Sequence, residues 1–192
     1  AYAGPAMPHP THHKARRAEF LAAIDGPVLL MAGGWISRNY PANWSPFRAD
    51  STFLFFFPEA EPNAAALFDP KDGSVTLFLD ERTQADALWH GPVPSFADVK
   101  RALGVTAVHK RSELAALVAK KAGRRQVHTV AIADPRATRE ALAITGEDLD
   151  FHDSSKIADP QLVATIAELR NWKRPEELAE MRATAVVTRL AH

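Results

Sequence analysis

The sequence predicts an α/β domain: a mixed β-sheet of about six strands flanked by helices. Three observations predict it. From Ser95 onward, short apolar runs alternate with helical periodicity, the rhythm of a layered domain whose sheet is parallel in part. Earlier, Asp69-Pro70-Lys71-Asp72-Gly73 separates two apolar runs. Proline fixes φ there and glycine supplies a positive φ, so the flanking runs pair as a hairpin and make the sheet mixed. Finally, the chain has 192 residues, 46% hydrophobic and 24% charged. That is the composition of a globular protein large enough to build a core without disulfide or metal staples.

The elements follow in order. Residues 1–12, rich in Pro, Ala and His, read as a flexible tail. A helix is expected from Lys14 to Ile24, with Ala18, Leu21 and Ala22 at helical spacing, stopped by Asp25-Gly26-Pro27. Val28 to Met31 is a short apolar run between turn residues, the pattern of a buried strand. Gly33-Gly34 then opens a long loop carrying Trp35, Tyr40, Trp44 and Phe47. Ser51 to Phe57, apolar and aromatic, reads as a central strand. The hairpin arms are Ala64–Phe68 and Val75–Leu79. Helices are expected over Gln84–Trp89, from a Ser95 cap to Leu103, from a Ser112 cap to Ala122, and from Pro135 to Ala143. Strands are expected at Val105–Val108, Val127–Ala133 and Leu149–His152. Asp159-Pro160 starts a helix with an N-cap and Pro at the first position. Arg174-Pro175-Glu176-Glu177 starts another, with carboxylates facing the positive end of the helix dipole. Its periodicity still runs at His192, which reads as a chain cut within a helix, and Met7 reads as a native start preceded by added residues.

Composition also limits function. Basic and acidic side chains balance at 23 each, which argues against a dedicated nucleic-acid binder. No apolar run approaches the ~20 residues of a membrane span. The chain has no cysteine, so thiolate metal sites and cysteine nucleophiles are excluded. That fits a reducing compartment and sets the expectation of a cytoplasmic protein.

The residues with reactive or ligating side chains form no catalytic or metal-binding motif. Gly33-Gly34 has neither the dinucleotide fingerprint nor the phosphate-loop pattern around it. His9, His12 and His13 sit on the expected tail without a second shell to orient them. No HExxH pair occurs, and no GxSxG surrounds Ser37, Ser45 or Ser51. Glu176, Glu177 and Glu180 form a carboxylate cluster that a helix's first turn and solvent face explain. No residue is assigned a catalytic role and none is assigned to a metal.

Three stretches nevertheless resemble one family. Phe47-Arg48-Ala49-Asp50-Ser51-Thr52-Phe53 is one. Leu79-Asp80-Glu81-Arg82 with Leu88-Trp89-His90-Gly91-Pro92 is the second. Leu169-Arg170-Asn171-Trp172-Lys173-Arg174-Pro175-Glu176-Glu177, followed by Met181-Arg182, is the third. In this order they resemble the N-terminal, creatinase-like domain of aminopeptidase P and prolidase. One departure is visible: the family's Tyr-Leu-Thr-Gly-Phe is replaced here by Phe55-Phe56-Phe57-Pro58.

The resemblance implies a creatinase-like domain over 13–170, then a linker and the first helix of a metallopeptidase domain over 171–192. It implies a parent enzyme with two divalent ions, manganese by family habit, that cleaves peptides with proline in the second position. The ligands of those ions (two Asp, one His, two Glu) would lie in the missing catalytic domain. By the same resemblance the N-terminal domain does no chemistry; it shapes the substrate funnel and builds a homodimer or homotetramer. Trp89 matches the Trp of the family's Trp-x-Gly motif, which lies near a neighbouring subunit's active site; core packing at a helix end is the alternative. Trp35, Tyr40 and Trp44 are candidates for contact with substrate or another subunit, against covering their own sheet edge. Arg48, Asp50 and Arg82 are assigned structural work, with Arg48 expected to pair with a carboxylate such as Asp50 or Asp80. Two other readings stay open: a stand-alone binding or assembly module of the same fold, and a creatinase-type parent acting on a small guanidino compound.

Overall fold

A computed structural model describes residues 10–58, 60–81 and 94–191. Its centre is a pair of hydrophobic strands whose side chains are buried on both faces. They are β1 (Val28–Met31) and β2 (Ala65–Asp69), which pair antiparallel. A fully apolar strand needs cover on both sides, and here it has it. β3 (Ser74–Leu79) returns beside β2 through the 69–73 turn, where Gly73 takes φ +65°. β4 (Ala107–Lys110) and β5 (His128–Thr129) add in parallel at the two edges. The sheet is mixed and five-stranded, in the order β4-β3-β2-β1-β5.

Two cores sit on its opposite faces. Val28, Leu30, Ala66 and Phe68 face a layer built from α1 (Pro10–Ala23), α2 (Ser51–Phe56), α3 (Phe96–Leu103) and α6 (Pro160–Asn171). Leu29, Met31, Leu67 and Phe78 face α4 (Leu114–Ala122) and α5 (Pro135–Thr145). The period-two alternation of each strand divides its side chains between these layers. The last helix, α7 (Pro175–Ala191), buries no side chain.

The largest correction concerns Ser51–Phe57, expected as a central strand. It forms the helix α2. Asp50 is its N-cap, accepting the Thr52 N–H at 2.7 Å. Phe53, Phe56 and Phe57, spaced i, i+3, i+4, are all buried, whereas Leu54 and Phe55 are partly exposed. A continuous apolar run hides a helical stripe as easily as a strand, and the cap decides between them. The resemblance's entry into a central strand at Phe47–Phe53 is corrected likewise.

Smaller differences have local causes. The strand expected at Val127–Ala133 pairs with β1 over two residues only. It then leaves the ladder, because Val130 bridges Ala158 and Ala131 donates to the Ile157 carbonyl. Leu149–His152 is a turn, since the Asp150 and Asp153 carboxylates accept the backbone N–H groups of His152 and Ser155. Val105–Val108 begins two residues later as β4, and a 3₁₀ turn at Arg111–Glu113 replaces a Ser112 cap. The helix expected at 84–89 lies outside the described residues.

The first helix also begins earlier than Lys14, and it buries the unexpected face. Ala18 and Ala22 are exposed. His13, Arg16, Arg17 and Phe20, one face at i, i+3, i+4, i+7, are between 0 and 6% exposed. The polar members reach the C-terminal carbonyls of two other helices. His13 donates from Nδ1 to the Phe55 carbonyl (3.1 Å), Arg16 to the same carbonyl (3.1 Å), and Arg17 to those of Phe56 (2.7 Å) and Leu103. Cations belong at helix C-termini, where the carbonyls lack intrahelical partners.

Burial, and then the Arg16 charge, pull the His13 pKa down to about 4. Its unfolded value near 6.5 is higher, so the unfolded chain takes up the proton first as pH falls. The contribution is therefore fully present above pH 6.5, is lost between 6.5 and about 4, and amounts to about 3 kcal/mol. Urea titrations from pH 7 to 4 should show that loss in the native chain. His13→Asn, which keeps a donor and removes the titration, should flatten the profile by most of that amount. Parallel profiles would show that another group governs the acid response.

Candidate functional site

The edge of the sheet where β1, β3, β4 and β5 all end collects the loops that sequence reading marked. After Met31 the chain is held by backbone pairs: Ala32 donates to the Ala64 carbonyl (2.8 Å), and Asp50 donates back to the Ala32 carbonyl (2.9 Å). Gly33 takes φ +81°, a left-handed turn that glycine adopts without strain. A side chain on Gly34 would sit 2.6 Å from the Asn63 Oδ1. Asn63 has little room to move, because its amide nitrogen donates to Asp80 (3.0 Å) and its backbone N–H to the Gly33 carbonyl (2.7 Å).

Beyond this footing, residues 35–47 form a small finger. Ser37 and Trp44 make an antiparallel bridge, Ser45 donates to the Ile36 carbonyl, and Arg38 to that of Asn43. At its tip the Asn43 amide donates to Asn39 Oδ1 (2.7 Å). Trp35 packs between Phe47 and Trp44, with ring centroids 5.8 and 6.4 Å away. Phe47 leans on the core, yet Trp35, Ile36, Tyr40 and Trp44 remain 42, 53, 58 and 47% exposed. This is a braced structure with an apolar, aromatic surface.

Asp134 ties the finger to the second helical layer. It is buried; Oδ1 caps α5 by accepting the Arg136 N–H (2.9 Å), and Oδ2 accepts the Gly34 N–H (2.9 Å). Arg136 in turn donates to the Trp35 carbonyl (2.5 Å). A polar cavity of about 140 Å³ lies beside them. Its other arginine, Arg111, is engaged by Glu140 (2.7 Å) and the Asn63 carbonyl (2.7 Å). The charges here brace the finger.

Sequence reasoning found the aromatic residues but missed Asn63, Asp134 and Arg136. Asp134-Pro135 is readable as a helix cap. Nothing local reveals that the second carboxylate oxygen reaches residue 34, a hundred positions away. Arg48 donates to Ser51 Oγ (3.1 and 3.2 Å) and to the Ala49 carbonyl, while Asp50 caps α2 and Asp80 holds Asn63. The arginine thus braces the start of α2 through a hydroxyl, where sequence reasoning expected a carboxylate. Trp89 and Arg82 lie outside the described residues. Among the described residues no three His, Asp or Glu come close enough to hold a metal ion, so the pair of ions implied by the resemblance does not fit this part of the chain. No described helix is long and apolar enough to cross a membrane.

This architecture is that of a mixed α/β domain, a five-stranded sheet between two helical layers with a braced aromatic finger at one edge. The chain belongs to the family described as aminopeptidase P, N-terminal domain, whose profile matches residues 13–131. Solved structures agree on the fold. Escherichia coli aminopeptidase P in its low-pH form superimposes with a TM-score of 0.72 at 19% identity, over 91% of this chain and 41% of that one. A single-residue variant of the same enzyme gives 0.74 at 18% identity, covering 97% and 44%. Pseudomonas aeruginosa aminopeptidase PepP gives 0.62 at 21% identity, covering 70% and 31%. The chain thus spans less than half the length of these enzymes. Comparison with curated protein sequences finds no match.

Proposed function

We propose that this chain is the non-catalytic N-terminal domain of a Xaa-Pro aminopeptidase, with residues 13–170 as the domain and 171–192 leading into a metallopeptidase domain. In this reading it contributes subunit assembly and one wall of the substrate funnel, and the two divalent ions belong to the remainder of the enzyme. The observation that carries it is the aromatic finger: a monomer rarely leaves such a patch uncovered, and here hydrogen bonds on both sides hold it out from the sheet edge. Rigid aromatic rings bind with little entropic cost and pack well on a proline ring. The bare helix α7, with Met181, Val187 and Leu190 exposed, supports a domain that packs against more protein.

The test uses the longer protein carrying this domain. Trp35→Ala with Trp44→Ala should weaken subunit association by sedimentation and lower kcat/KM on Xaa-Pro peptides by about tenfold or more, since central aromatic anchors carry over 1 kcal/mol each. An unchanged oligomer with unchanged kinetics would defeat the assignment of the finger. Hydrolysis of Xaa-Pro peptides by the 192-residue chain alone would defeat the non-catalytic reading.

A further inference from the structure

α7 is a 17-residue helix with no buried side chain, yet it leaves the domain at a defined place. Three residues, Trp172 to Arg174, connect it to α6, and Trp172 is 77% exposed, so apolar packing does not set its direction. What touches it is charge. Arg16 of α1 meets Glu177 Oε1 at 2.8 Å, Arg174 meets Glu19 at 2.5 Å, and His12 lies 3.7 Å from Glu176.

These contacts are unequal. The Arg174–Glu19 and His12–Glu176 pairs involve half-exposed carboxylates, which water and salt screen. The Arg16 side chain is 8% exposed and Glu177 is 24% exposed. Arg16 lies against the Phe55 ring, 4.6 Å from its centroid, with Arg170 on the same ring at 5.8 Å. Its Nε has no hydrogen-bond partner, and His13 and Arg17 crowd the same helix face. Among the described residues Glu177 is the one carboxylate paired with this buried basic trio. The same carboxylate serves α7 itself, because Oε2 accepts the Arg174 N–H at 2.9 Å and closes the first turn. One side chain therefore starts the helix and neutralises a cation beneath it.

We propose that the Arg16–Glu177 pair is a latch that fixes the direction in which α7 leaves the domain. Removing the carboxylate strands a buried charge, whereas removing either outer pair exposes groups already in water. The latch concerns this chain's own residues and does not depend on what the domain does in a longer enzyme.

The chain has no cysteine, so two introduced ones report cleanly. Spin labels at Ala185→Cys on α7 and Arg139→Cys on α5 give one distance distribution. Glu177→Gln should broaden it at least twofold, with the sheet signal in circular dichroism retained, while Glu19→Gln should leave it unchanged. Should Glu177→Gln unfold the chain, the Arg16→Met with Glu177→Met double variant decides, because it removes the stranded charge. It should fold and show the broad distribution. A narrow distribution in either folded variant, or equal broadening by Glu19→Gln, overturns the latch.

Discussion

Replacing Arg17 by alanine should cost about 3–5 kcal/mol of stability, enough to unfold a large fraction of a marginal domain. Among the described residues Arg17 is the largest side chain that is fully buried, at 2% exposure. It donates to the last-turn carbonyls of both α2 and α3, and its guanidinium lies 5.1 Å from the Phe57 ring centroid. Burial lowers its pKa to about 10, which still leaves it charged at neutral pH. The desolvation cost is thus met by charge-assisted bonds to carbonyls that otherwise lack donors. Alanine removes those bonds and leaves a cavity. Methionine should cost less, since it refills the volume and takes no charge out of water. Urea denaturation of the three chains orders them; a loss under about 1 kcal/mol for the alanine variant would mean that water replaces the guanidinium.

Phe56→Ala should cost a similar amount, about 3–5 kcal/mol, for a different reason. The ring is inaccessible to solvent and stacks among Phe20, Phe55 and Phe68 at centroid distances of 4.7, 5.0 and 5.2 Å. No polar group is exposed by the change, so the whole effect is lost apolar contact and void. Phe55→Ala, on the partly exposed side of the same helix, should cost less than half as much. Were α2 a strand, alternation would group Phe53, Phe55 and Phe57 against Phe56, and the order of the two effects would invert. Melting temperatures of both variants therefore test the helix assignment directly.

The contrast shows what was legible in the sequence. The hairpin at 69–73 was readable because its proline and glycine dictate backbone angles locally. The Pro-initiated helices were readable for the same reason. Ser51–Phe57 is misread because the five consecutive apolar residues Phe53–Phe57 carry no polar marks to reveal the period; Asp50, two residues before Thr52, is the available signal. α1 is misread on its face: Ala18 and Ala22 point outward and Leu21 is only partly buried, while the buried face carries His13, Arg16 and Arg17 beside Phe20. Its partners, the carbonyls of Phe55, Phe56 and Leu103, are supplied by tertiary structure alone. At the candidate site the exposed aromatic residues were visible, and their supports were not. Asn63, Asp134 and Arg136 reach the finger across 30 to 101 positions, a separation that no local pattern encodes.

The finger's footing has a consequence for how this surface can diverge. Among the described residues, the bonds that plant it use backbone atoms of residues 33–35 or groups outside 36–45, while the bonds of the tip run only within residues 37–45. Related proteins are thus free to rewrite residues 38–43, in length as well as in chemistry, without disturbing the sheet beneath. The stem is heritable architecture, and the tip is an exchangeable address.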